Sequence, residues 1–483
     1  MPSTTHRLAV VLLVLLSAGQ LLAADLFVPA QYPTIALALA AAEPGDSVIL
    51  APGQYNEHDL DLTGGVTLTG RLDAPDIVVI NAQAQGRVFR AESQTGTIRL
   101  QGLTITGGRA DGANAYDGSG GGLFVSRSDV RLESCRVVNN VAMASGGGLR
   151  IAHGSAVLLN CEVSYNSAGK GGGGMDASYG ATGNARHTVF AGNQAAWGGG
   201  VSSRATSSCA LFTCQLTDNQ AVGNPGLGGA LAYDLDTQMA LTFSVVADNE
   251  ARHGGGIYVA GNTASTLSQL TIDRNEALVS GGGLYCKGSS PQIQRSIISF
   301  HDQDAVACRQ EAHPTLSNCN LFGNLGGNWS GDLMDQRHTR DNMSADPLYC
   351  AIDDRHLQAG SPCAPRNDGL GLMGAKGVGC DIDMALDAPA ASQPMAMQAH
   401  PNPFNPITEV AYSLPADGRV RLTMFDVRGR RLSVLVDAIQ TAGDHRVRWD
   451  ARDHGGRHLA SGTYLAVLES GGQRLTSKLM LLR

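Results

Sequence analysis

The sequence predicts an all-β protein: a right-handed parallel β-helix of about three strands per coil with an N-terminal helical cap, then a small immunoglobulin-like β-sandwich. Three observations carry this. A triplet of small residues followed by an apolar one recurs seven times, ending at Leu123, Leu149, Met175, Val201, Leu231, Ile257 and Leu284, at spacings of 26, 26, 26, 30, 26 and 27. A second marker keeps step with it, an Asn after a short apolar strand with Ala two residues on: Asn140, Asn166, Asn193, Asn219, Asn249 and Asn275. The texture then changes near residue 399 to longer alternating strands.

The period selects the architecture. No long amphipathic stretch lies between markers, so helical repeats are excluded. Each unit instead holds β-prone pieces such as Ala156-Val157-Leu158-Leu159 and Gln269-Leu270-Thr271-Ile272 between Gly, Asn, Asp and Ser. That is one coil of a parallel β-helix, with coils stacking about 4.8 Å apart. Gly148, Gly174, Gly200, Gly256 and Gly283 are read as turn residues, where stacked backbones leave no space for a Cβ and positive φ costs Gly little. The Asn column is expected to sit at a second bend, tolerating left-handed backbone and linking amides from coil to coil. The 30-residue unit carries an insertion at Ala221-Val222-Gly223-Asn224-Pro225-Gly226.

The ends of a solenoid expose strand edges that must be covered. Residues 34–43 are the best helix candidate and are read as the N-terminal cap. The repeat fades after Asn324, and the segment from Asp346 to Cys380 is read as a closing lid. Of Cys350, Cys363 and Cys380, one pair could staple it, leaving the third free or bridged elsewhere. Cys286 and Cys308 are equivalent in consecutive coils and are either a disulfide or two thiols. Cys135, Cys161, Cys214 and Cys319 each lie five residues before a marker Asn, and a column of buried free thiols is favoured there.

Composition bounds the partners. Charged residues are 16% and the net charge is -8, which lacks the basic stripe that nucleic acid demands. Arg7, the apolar run Leu8 to Leu16 and Leu22-Ala23-Ala24 read as a secretory signal over residues 1–24. No later stretch is apolar and long enough to span a bilayer as a helix, so no transmembrane segment is expected in the mature chain. The β-helix is expected over 25–383, a linker over 384–398 and the sandwich over 399–483. Turns at Asp417-Gly418, Arg428-Gly429 and Gly455-Gly456 separate the late strands.

With these residues in hand, the body resembles secreted right-handed parallel β-helix proteins. Its glycine triplets and Phe190-Ala191-Gly192-Asn193 are similar to the repeats of chlamydial polymorphic outer membrane proteins. Pro33-Thr34-Ile35 through Pro52-Gly53-Gln54-Tyr55 looks like the cap of pectate-lyase-like proteins. The C-terminal part resembles the sorting domains of type IX secretion cargo and the immunoglobulin-like domain of flagellar hook-capping protein. The matching residues are Asn402, Pro403, Phe404, Asn405, Pro406, Asp426-Val427-Arg428-Gly429, Trp449, Asp450, Ser461, Gly462, Thr463, Tyr464 and Lys478-Leu479-Met480. The resemblance implies export through outer-membrane secretion or attachment machinery that reads residues 399–483.

The signature runs of pectate lyases and polygalacturonases are absent. Thr217-Asp218-Asn219 imitates a hydrolase motif but belongs to the Asn column, and Asp353-Asp354 falls in the expected lid. Trp197 and His253 precede glycine triplets two coils apart and could form a sugar-stacking ledge. Asp59 with Asp61, and Asp381 with Asp383, offer oxygen ligands for calcium, though two carboxylates are too few, and no cofactor is expected. The leading expectation is a non-catalytic surface protein for adhesion, glycan binding or structure. The rival is a polysaccharide lyase or hydrolase whose acids and bases cluster on one face. A chlamydial-style autotransporter is excluded by the lack of a many-stranded C-terminal barrel.

Overall fold

The computed structural model describes residues 23–380 and 396–482, apart from 113, 115, 235, 262–263, 352–353, 366–370, 403, 415–417, 427–429, 441–442, 454–456 and 471–472. Residues 1–22 of the expected signal, most of the linker, Asp353, Asp381, Asp383 and Pro403 therefore lie outside the described residues, as do Asp417, Arg428, Gly429, Gly455 and Gly456.

The body is a right-handed parallel β-helix. Its described strands form parallel sheets of twelve, eleven, ten and seven strands running along the solenoid axis. Successive coils stack in strict register, so like side chains meet. In the eleven-stranded sheet Val137, Val163, Phe190, Leu216, Val246, Ile272, Ile298 and Leu321 form one inward column. All eight are fully buried. Each such side chain contributes roughly 1.5–3 kcal/mol by leaving water.

Helix Ile35–Ala41 covers the first coil with Ile35, Ala38 and Leu39. Thr34 caps it, its hydroxyl accepting from the Leu37 N–H at 3.3 Å. Glu57 adds a cap from a distant segment, accepting from the N–H groups of Ile35 and Ala36 at 2.8 and 3.0 Å.

The glycine triplets divide their work. The first Gly of each triplet takes positive φ, as at Gly146 (68°) and Gly172 (59°). The third has no such need but no space either: a Cβ on Gly148 would lie 2.6 Å from the Gly174 carbonyl oxygen of the next coil. For Gly174, Gly200 and Gly256 the same approach is 2.7 Å, and for Gly283 it is 2.5 Å. The close-approach expectation therefore applies to these five, whereas the positive-φ expectation moves two residues back.

The Asn column is likewise split. Each amide oxygen accepts from the N–H and the Nδ2 of the preceding coil's Asn, at about 3.0 Å from Asn140 through Asn275. Each of these asparagines is buried. The left-handed backbone is not theirs but that of the residue before, Tyr165 (54°), Asp218 (56°), Asp248 (57°) and Arg274 (47°) among them. The amide ladder fixes the bend, so the strained position accepts almost any side chain that points to solvent. His301 takes the next rung, its Nδ1 accepting from the Asn275 N–H at 3.0 Å, and Asn324 follows.

Cys135, Cys161, Cys214 and Cys319 are buried free thiols in a column shared with Thr188, Ser244 and Ser296. Each of these thiols and hydroxyls donates to the carbonyl two residues earlier, for example Cys161 to Leu159 at 3.3 Å and Ser244 to Thr242 at 2.8 Å. Cys286 and Cys308 are register partners yet remain thiols. Parallel in-register side chains stay about 4.8 Å apart, wider than a disulfide's Cβ separation. Cys350 pairs with Cys380, and Cys363 is a buried thiol.

The expected lid is corrected. The last coil is closed by residues 325–343, whose Trp329 and Leu333 join the solenoid core. Residues 344–380 instead fold back as a strap along the flank of the eleven-stranded sheet. Leu357, Cys363 and Met373 pack there on Ile297, and the Tyr349 hydroxyl meets Ser299 at 2.9 Å.

Residues 396–482 form a separate two-sheet sandwich. Strands Ala396–His400, Thr408–Leu414 and Gly443–Trp449 make one antiparallel sheet. Strands Arg431–Gln440, Gly418–Asp426, Gly462–Ser470 and Gln473–Leu481, in that spatial order, make the other. Side chains from both sheets share one core. The Tyr464 hydroxyl donates to the Ala460 carbonyl at 2.6 Å, the tyrosine corner of immunoglobulin-like sandwiches.

Candidate functional site

Side chains alternate in and out along each strand, so the twelve-stranded sheet presents three outward columns to solvent. On five successive coils the middle column reads Asn184, Ala210, Ala240, Thr266 and Gln292. The two alanines leave a depression between polar ends. Thr182, Ser208 and Gln238 form one wall, with the Thr182 and Ser208 hydroxyls 3.0 Å apart. The result is a groove of about 600 Å³. Four strand spacings give it a length of about 19 Å. No Asp, Glu, His, Lys or Arg lines it.

An aromatic edge borders the groove. Phe212 belongs to the third outward column, and Phe243 follows at the bend of the next coil. Their centroids are 5.3 Å apart, and they are 37% and 38% exposed. Arg186 lies over the Phe212 ring at 5.6 Å. Amides and hydroxyls beside a partly open aromatic face can hydrogen-bond and stack on an uncharged ring bearing hydroxyls. They supply no group that gives or takes a proton near neutral pH.

The residues singled out from the sequence lie elsewhere. Trp197 and His253 share one column, bridged by Leu227. Trp197 is only 7% exposed, packed under Arg204 at 4.7 Å, and so is not a stacking surface. His253 rests on Tyr285 at 4.9 Å and meets the Ser280 hydroxyl at 3.2 Å. Asp61 is bound by Arg90 at 2.7 and 3.0 Å, and Asp59 accepts from the Arg87 N–H at 3.2 Å. Among the described residues no group of three or more His, Cys, Asp or Glu is placed to hold a metal ion. Asp218 is a bend residue and Asn219 a buried rung, which removes the hydrolase-like reading. Asp354 pairs with His356 at 2.6 Å.

One polar cluster escaped the sequence. On the outer face of the ten-stranded sheet, Arg150 contacts Asp176, which also accepts from Ser178 at 3.0 Å and Ser202 at 2.5 Å. Asp176 is fully buried, and burial brings the Arg150 guanidinium down to about 10. A Cβ on Gly171 would lie 3.0 Å from the Asp176 carboxylate, so the glycine makes room for the charge. The cluster is sealed from solvent and has no access for a substrate.

The C-terminal motif residues build the sandwich. The Asn402 side chain donates to the Lys478 carbonyl and accepts from the Met480 N–H, both at 2.8 Å. Phe404 is buried against Trp449 at 5.6 Å, and Trp449 meets Tyr464 at 5.7 Å. Asp450 pairs with Arg452 at 2.9 Å, Gly462 opens its strand, and Asn405 and Pro406 form the turn after Phe404.

The fold defines the class, an all-β protein with a parallel β-solenoid body. No family model matches the chain, and no curated protein matches it. Among solved structures it is similar to pectate lyase Pel9A, at 14% identity and a TM-score of 0.42, covering 71% of this chain and 91% of that one. It is also similar to PorZ, a bacterial surface component of the type IX secretion system of Porphyromonas gingivalis, at 21% identity and a TM-score of 0.15. That likeness covers 18% of this chain and only 12% of PorZ.

Proposed function

We propose that this is an exported, surface-held or secreted binding protein that seats an extended uncharged glycan in the groove of its twelve-stranded sheet without cleaving it. The observation that carries this reading is the groove's chemistry: amides and hydroxyls over five coils, an exposed phenylalanine edge and no charged lining residue. The solenoid serves as a rigid ruler, its coil spacing repeating on the scale of a sugar chain. Delivery is assigned to the apolar N-terminal segment and to residues 399–483, which engage outer-membrane secretion or attachment machinery.

The test is binding of the full chain to neutral oligosaccharides of several linkages, with new reducing ends assayed in parallel. Binding without new ends is expected. Phe212→Ala and Asn184→Ala are each expected to weaken it about tenfold, the loss of one stacking or hydrogen-bonding anchor. New chain ends, abolished by replacing an acidic residue, would make the protein a polysaccharide lyase or hydrolase instead. Deleting residues 399–483 is expected to leave the body on the inner side of the outer membrane.

A further inference from the structure

A different face carries a second feature. On the outer side of the ten-stranded sheet, Tyr258 and Tyr285 occupy one column on adjacent coils and stack at 5.6 Å with planes only 9° apart. Tyr258 is buried beneath, while Tyr285 is half-open. In the next outward column Lys287 and Arg309 are register partners on adjacent strands, and both are exposed. Exposed Arg252 adds a third cation beside His253. Burial first, then the charges of Arg252, Arg309 and Lys287, hold the His253 imidazole below its usual value. Among the described residues none of the three has an ion-pair partner.

Lys287 and Arg309 are like charges held side by side on neighbouring strands, in a chain whose net charge is -8. Beside them lies an aromatic face able to stack. We propose that Tyr285, Lys287 and Arg309 form a binding site for an anionic sugar residue, one bearing a carboxylate or a sulfate ester. The ring lies on Tyr285 and the anion meets Lys287 and Arg309. The patch spans about two coils, roughly 10 Å, which suits one or two anionic groups and falls short of the long cation track that a nucleic-acid strand needs. The site is separate from the neutral groove and does not depend on it.

The test uses the full chain and four probes: a uronate oligosaccharide, a sulfated oligosaccharide, a neutral oligosaccharide of equal length and single-stranded DNA. Binding to one or both anionic sugars is expected, weakening as salt is raised. The carboxylate and sulfate arms identify which anion fits. The double substitution Lys287→Glu with Arg309→Glu is expected to weaken that binding at least about tenfold, and Tyr285→Ala about fivefold. Both variants should keep the melting temperature of the unaltered protein, which shows that they fold. A charge-matched control, Arg127→Glu with Lys170→Glu, should bind as the unaltered protein does. The proposal is overturned if neither anionic sugar binds, if the control loses as much, or if DNA binds equally well.

Discussion

Arg355 grips Asp273 from 82 residues away, its Nε donating to the carboxylate at 3.0 Å while its other nitrogen reaches Asp248. Asp273 is fully buried and Arg355 nearly so. Burial pushes the Asp273 carboxyl above its ordinary range, although Arg355 and Arg274 pull it down. This pairing fastens the strap to the flank of the solenoid.

Removing the arginine leaves a buried carboxylate without its main partner. Arg355→Met is expected to cost about 3–5 kcal/mol and to lower the melting temperature. Adding Asp273→Leu should recover much of the loss, because no buried charge then remains unpaired. Thermal melts of the single and double variants decide this, and limited proteolysis should show early cuts within residues 344–380.

His301 makes stability depend on pH. Burial lowers its pKa from 6.5 to about 3. Above pH 6.5 neither the folded nor the unfolded ring is protonated, and stability is full. Below it only the unfolded ring takes the proton, so stability is lost as pH falls, by about 1.4 kcal/mol per pH unit until about pH 3. Among the described residues its Nε2 has no well-formed hydrogen-bond partner. His301→Asn should restore the amide rung and flatten this pH dependence, as urea midpoints at pH 7 and pH 5 would show.

A rung removed from the ladder should cost more than one ordinary hydrogen bond. Asn219 donates to the Phe190 carbonyl at 2.8 Å and accepts from both nitrogens of Asn193 at 3.0 Å. Asn219→Ala orphans these buried groups and is expected to destabilise by about 2–4 kcal/mol. Faster amide exchange at Asn193 would locate the damage.

The thiols should be silent in the folded protein. Burial raises Cys135, Cys209, Cys214 and Cys319 to about 12, and half-buried Cys308 to about 11. Alkylation at pH 8 should therefore mark Cys308 first and the others only on unfolding. Denaturant without reductant should expose eight thiols, and Cys350 with Cys380 only after reduction. Early labelling of Cys135 or Cys161 would contradict the packed column.

In the sandwich, Tyr464→Phe keeps the ring between its neighbours and removes the hydroxyl that bonds the Ala460 carbonyl. About 1 kcal/mol of destabilisation is expected in chemical melts of the sandwich transition.

The repeat was readable because it is a packing requirement: Gly148 has no room for a methyl, and Asn166 must bond to the coils on both sides. The left-handed bends were not, since Tyr165, Asp218, Arg274 and Phe300 share nothing but a solvent-facing side chain. The strap was hidden because it is held by single long-range contacts such as Arg355 with Asp273, which leave no period. The groove was hidden for a related reason. Ala210 and Ala240 are unremarkable one at a time, and only stacking on adjacent coils turns them into a floor.

The amide ladder is continuous from Asn140 to Asn275 and changes character at His301. Under a pulling force along the axis these rungs share the load with the sheet hydrogen bonds, and the imidazole joint has one amide bond fewer than the rest. Coils from Gln292 onward should peel away first as one piece, leaving the groove floor of Ala210 and Ala240 in place. The solenoid would then lengthen from its C-terminal end in one step, ahead of any opening of its central coils.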